Sequence, residues 1–167
     1  MVLTKAELIT ALQNEVRILL HLAGKFEPAS LDYRPTPKQR SGLELLQYLT
    51  YMGPCITRDT LAGEFDPVTW TAYENAAAAR DFEATVAELE KQSDLYATIL
   101  GDVPDEHFRT EAEMFGQTAT RGVLLVSNVL SGYAAYRTQL FLYLKSCGRT
   151  ELDTWNLWAG MDAPAQA

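Results

Sequence analysis

Histidine is almost missing from this chain, whose 167 residues contain His21 and His107 and no other. Metal chemistry carried by clustered imidazoles has little to work with here. Cysteine is equally scarce: Cys55 and Cys147 lie far apart, form neither a CxxC pair nor a disulfide framework, and sit in apolar helical contexts that read as buried free thiols. Long apolar runs are absent, and stretches such as "GVLLV" fall well short of a membrane span. Positive charge is in deficit. Fourteen Lys and Arg face 22 Asp and Glu, a formal charge of −8, which excludes the concentrated basic surface that nucleic acid requires. The one basic cluster, Arg34 to Arg40, lies in a proline-containing connection and reads as a solvated loop. The start of the chain alternates charged and apolar residues at helical spacing and lacks the apolar region of a secretory peptide, so a cytoplasmic location is expected.

What is present is a hydrophobic content of 47% with 22% charged residues, the balance of a globular protein, and a length that suits a single domain over 1–167. Helical periodicity dominates. Thr4 and Glu7 form a capping box ahead of Leu8, Leu12, Val16, Leu19 and Leu20, which predicts a first helix from Thr4 to Gly24. Residues 25–39 hold three prolines and read as an extended crossover anchored by Phe26, Leu31 and Tyr33. Ser41 and Glu44 repeat the capping box for a second helix, disturbed at Gly53 and Pro54, with a further piece ending at Gly63. A short helix within 64–80, a third long helix from Asp81 to Leu100, and a fourth from Thr118 or Thr120 to Cys147 complete the pattern, closed by Gly148. No strand-like alternation competes, so the class expected is all-α. Trp155 and Trp158 are expected to cover apolar surface, and 160–167 to fray.

Two stretches carry a resemblance. Residues 44–49 read Glu-Leu-Leu-Gln-Tyr-Leu, and residues 132–140 read Gly-Tyr-Ala-Ala-Tyr-Arg-Thr-Gln-Leu before an apolar run and a terminal glycine. With four helices and a long crossover between the first two, the chain resembles the DinB/YfiT-like family of metalloenzymes. The resemblance implies a four-helix bundle in which one histidine of the second helix and two of the last, four residues apart, bind a divalent metal. It also implies thiol-dependent transfer or isomerisation chemistry in characterised members, and pairing as homodimers through helices. At the matching positions this sequence has Tyr48, Gly132 and Tyr136, so the three ligands are replaced and the metal site is degenerate.

Three readings of that centre stand open: tyrosines filling the core, a small-molecule pocket, and an unconventional metal site. Tyr48, Gly132 and Tyr136 are its candidate residues, with Glu44, Tyr51, Asn128, Tyr133, Arg137 and Gln139 as candidate lining, because tyrosines three apart share a helix face and buried phenols need polar partners. Trp70, Trp155 and Trp158 are candidates for a homodimer contact. No catalytic residue, cofactor or metal is assigned, since phosphate-loop, GxSxG and HExxH signatures are missing and neither cysteine has a histidine beside it. The expectation leans away from an enzyme and toward non-catalytic binding of a small molecule or a partner protein. The alternative is a metal-dependent thiol transferase or hydrolase using substitutes such as Glu44, Tyr48 and His107.

Overall fold

The computed structural model describes residues 3–164. Helix α1, Lys5–Ala23, starts where the sequence places it, with both arms of the Thr4/Glu7 capping box formed: the Glu7 amide donates to the Thr4 hydroxyl, and the Thr4 amide donates to the Glu7 carboxylate. Leu12, Val16, Ile18, Leu19 and Leu22 are all fully buried, so α1 is enclosed on more than one side. The crossover contains a 3₁₀ turn at Pro28–Ser30, and Phe26, Leu31 and Tyr33 pack on the core as expected.

The second helix is two pieces, α2, Gly42–Leu49, and α3, Met52–Ala62, broken at Thr50–Tyr51. Pro54 falls in the first turn of α3, where its missing N–H costs no helical bond. Helix α4, Pro67–Ala78, is capped by Asp66 and packs on α2. The expected third helix is likewise divided at Lys91 into α5, Phe82–Glu90, and α6, Gln92–Gly101.

The connection after α6 corrects the expectation of no strands. Glu111–Met114 (β1) pairs antiparallel with Gln117–Thr120 (β2) around a two-residue turn at Phe115 and Gly116, both at positive φ. That is the geometry of a type I′ hairpin. The last helix therefore begins later than expected, as α7, Arg121–Leu124, and runs through a π-helical stretch, Leu125–Leu130, into α8, Ser131–Ser146. At the end of the π stretch the hydroxyl of Ser131, the first residue of α8, donates to the Val126 carbonyl five residues back. Gly148 ends the rod in a Schellman arrangement, with the Arg149 amide reaching the Leu144 carbonyl at 3.1 Å.

The architecture is an all-α bundle with this small hairpin added. Going round it, α1 lies beside α5–α6, which lies beside α2–α3, which lies beside α7–α8, which returns to α1. The C-terminal segment 155–162 packs back on α1: Arg17 donates to the Gly160 carbonyl, and Asp162 pairs with Lys25 at 2.6 Å. The expected fraying is thus not seen at Gly160 to Asp162, while 165–167 lie outside the described residues. Trp155 and Trp158 stay largely exposed, although the Arg137 guanidinium lies 5.1 Å from the Trp158 ring.

Two helical glycines differ sharply in their surroundings. A Cβ on Gly53 would stand 2.1 Å from the hydroxyl oxygens of both Tyr96 and Tyr133, whereas one on Gly132 would meet only Met52, at 3.5 Å. Gly53→Ala should therefore lower stability by about 1–3 kcal/mol through overpacking. Gly132→Ala should leave it unchanged or raise it by up to about 1 kcal/mol through helix propensity. Urea denaturation of the two variants measures the contrast, and equal effects would contradict this packing.

Candidate functional site

Helix α2 ends with Tyr48 one residue short of the break, and α8 carries Gly132 and Tyr136 one turn apart. The two tyrosine rings meet edge to face, centroids 5.1 Å apart and planes at 71°. They stand with Gly132 on the wall of a single cavity of about 510 Å³. Met52 and Ile56 of α3 continue that wall, one and two turns beyond Tyr48. Trp70 of α4, Phe65 from the connection before it, and Phe115 at the hairpin tip extend the aromatic lining from Tyr48, and Ser127, Asn128 and Ser131 supply its polar groups. Among the described residues no charged side chain lines it.

The electrostatics follow from burial. Tyr48 is pushed well above the ordinary phenol range by desolvation first and by the neighbouring Tyr136 phenol second. Its ring also carries the Arg40 guanidinium 3.9 Å from the centroid, a cation–π contact made from the crossover side. The amide Nδ2 of Asn128 is shielded from solvent and has no hydrogen-bond partner.

Of the candidate lining residues only Asn128 reaches the cavity, and the others turn away for identifiable reasons. Glu44 is spent on capping: it accepts from the Ser41 amide at 2.8 Å and pairs with Arg34 at 3.0 Å. Tyr133 and Arg137 each follow a cavity residue by one position, a rotation of about 100° round the helix, and face the interior instead. Tyr133 donates to Gln92 Oε1 at 2.6 Å, and Arg137 pairs with buried Glu15 at 3.1 Å. Gln139 donates to the Tyr143 hydroxyl, which in turn donates to the Arg40 carbonyl. Tyr51 lies across the aromatic cluster, its ring 5.4 Å from Tyr48, and opens on a second cleft beside Cys55 and Arg58. There, burial and the Glu74 carboxylate push its phenol up to about 12, and burial pushes the Cys55 thiol up to about 11. That thiol is correspondingly unreactive.

Sequence reasoning missed Met52, Ile56, Phe65, Trp70, Phe115 and Ser127. Met52 and Ile56 were recoverable, because they lie four and eight residues after Tyr48, whereas Phe65 and Phe115 arrive on connections with no periodic signal. Trp70, a candidate for a dimer contact, packs instead between Tyr48, Tyr51 and Phe65, with centroids 5.0 to 6.2 Å away.

The side chains at this centre do not fit a divalent transition metal. Phenol oxygens are poor donors to such a metal unless they lose a proton, and glycine has no side-chain donor. Among the described residues no three His, Cys, Asp or Glu side chains converge on one point. His21 contacts Asn156 and Asp162, and His107 engages the Leu61 carbonyl at 2.8 Å, so neither imidazole joins the tyrosines.

A helical bundle with a long first crossover and a continuous final rod defines a DinB-like fold. The chain is similar to the crystal structure of YjoA, a DinB-like protein from Bacillus subtilis, with a TM-score of 0.66 and 18% identity over 89% of this chain and 96% of that one. No protein-family model and no curated protein matches it by sequence. Among the described residues no helix is long and apolar enough to cross a membrane.

A folded phenol whose pKa is raised keeps a proton that the unfolded chain gives up near pH 10. Folding stability should therefore fall as pH rises from about 10 and continue falling through about 12. Absorbance of tyrosinate at pH 11 should show Tyr48, Tyr51, Tyr96 and Tyr133 still protonated in the native protein and ionised in urea. Equal tyrosinate content in both states would contradict the burial described.

Proposed function

We propose that this chain is a DinB-like protein with a degenerate metal site that binds an uncharged small molecule, without catalysis, in the aromatic cavity between α2–α3 and α7–α8. The observation that carries the reading is the convergence of Tyr48, Gly132 and Tyr136, the positions matching the resembled family's ligands, on one cavity lined by apolar and neutral polar groups. A concave, mostly apolar site with a few oriented polar groups is the usual form of a small-molecule pocket. The cleft of about 510 Å³ left open to solvent at this point supports binding over tyrosines that only fill the core. A thiol-transfer reaction at a metal needs a cation to lower the thiol's pKa and polarise the electrophile, and the donors for holding one are replaced here.

Substitute ligation is disfavoured on the same grounds. Glu44 is held by Ser41 and Arg34, and His107 by the Leu61 carbonyl, so each is committed to a partner elsewhere in the fold. Elemental analysis of protein purified without a histidine tag, after incubation with zinc, nickel or manganese and desalting, should find each metal far below one equivalent. A stoichiometric metal that is lost in Tyr48→Phe would overturn the proposal.

A further inference from the structure

Phe115 pays two conformational and solvation penalties at once. It is the one non-glycine residue at positive φ among the described residues, at 53°, and it is 57% exposed. A bulky residue in the left-handed region is an outlier, and an exposed phenyl ring gains little from burial. The hairpin does not require it. A two-residue turn with positive φ at both positions is best served by Asn-Gly, and Gly116 already stands second.

What Phe115 supplies is a ring at the mouth of the aromatic cavity. Its centroid lies 5.6 Å from that of Phe65, which is itself 38% exposed, and the two planes are inclined at 56°. Phe65 leads to Trp70 at 5.6 Å, Trp70 to Tyr48 at 6.2 Å, and Tyr48 to Tyr136 at 5.1 Å. An unbroken series of rings therefore runs from the hairpin tip to the metal-position tyrosines. The π stretch adds Ser127 and Asn128 to the same lining, and the start of α8 adds Ser131. A charged guest would be desolvated here with no counter-charge on the lining, which disfavours it.

We infer that Phe115 and Phe65, in contact with each other, form the outer wall of a subsite against which a flat, uncharged aromatic group packs, with the polar end of the ligand directed toward Asn128. The inference rests on the binding role proposed above. Phe115 is thus a specificity-determining residue, held in a strained, exposed position where it contacts ligand rather than supporting the fold.

The test is a fluorescence titration with N-phenyl-1-naphthylamine, an uncharged aromatic dye, on the full chain, on Phe115→Asn and on Gly132→Leu, with melting temperatures measured in parallel. The wild type should bind saturably, and Gly132→Leu should abolish binding by filling the cavity beside Met52. Phe115→Asn should bind about tenfold more weakly, the loss expected of one aromatic contact, while melting no lower than the wild type because it creates the preferred turn pair. If Phe115→Asn binds like the wild type while Gly132→Leu does not bind, the mouth subsite is wrong and the cavity reading survives. If Phe115→Asn melts lower, Phe115 is structural and the subsite is again wrong. Dye binding that is absent in the wild type or unaffected by Gly132→Leu overturns both.

Discussion

One buried amide holds the cavity side of this bundle together. The break between α2 and α3 leaves the carbonyls of Leu49 and Thr50 without helical donors, and the Nε2 of Gln92, reaching from α6, donates to both at 2.8 Å. The other end of the same amide accepts from the Tyr133 hydroxyl of α8 at 2.6 Å, and the Tyr133 oxygen lies 2.5 Å from that of Tyr96. Three of the four rods thus meet at a single side chain that is only 1% exposed. A buried carbonyl left unsatisfied costs about 1–3 kcal/mol, so the break is tolerable only with this amide in place. Across the break, Tyr48 on one piece and Met52 and Ile56 on the other keep the four-residue spacing that puts all three on the cavity wall, and the bare Cα of Gly53 lets the two phenols approach closely enough to complete the network.

The opposite side of α8 is fixed by a different kind of contact. Arg137 and Glu15 pair in the interior at 3.1 Å, yet Glu15 Oε2 and Arg137 Nε have no partner. Burial raises the Glu15 pKa more than the guanidinium lowers it. A pair so incompletely satisfied contributes little net stability, since desolvation offsets the Coulomb attraction. Its effect is orientational: with Arg137 held toward α1, Tyr136 and Gly132 are left on the cavity face. The polar interior therefore sets the direction of α8, while the apolar core supplies the free energy.

Much of this was legible in the residues, and what was not has physical reasons. The capping boxes at Thr4 and Ser41 and the stops at Gly63 and Gly148 are local codes, and each appears in the fold. The hairpin escaped because Phe115 is a poor turn former, so the strongest signal for a two-residue turn was missing. The π stretch and the break at Lys91 carry no side-chain signature at all. At the centre, the resemblance to the family's motif singled out Tyr48, Gly132 and Tyr136, which line one cavity with Asn128, but proximity in sequence misled for Tyr133, Arg137 and Glu44. The first two point elsewhere by helical rotation, and the third was already committed as a cap.

The central proposal is that Tyr48, Gly132 and Tyr136 stand at the positions where the resembled family places three histidine ligands. The most direct measurement is cobalt(II) titration, followed by visible absorption, of a variant carrying Tyr48→His, Gly132→His and Tyr136→His beside the wild type. The account predicts one equivalent bound by the triple variant, with ligand-field bands of low coordination number, and none by the wild type. A folded triple variant that binds no cobalt, or a wild type that binds it equally well, would contradict it.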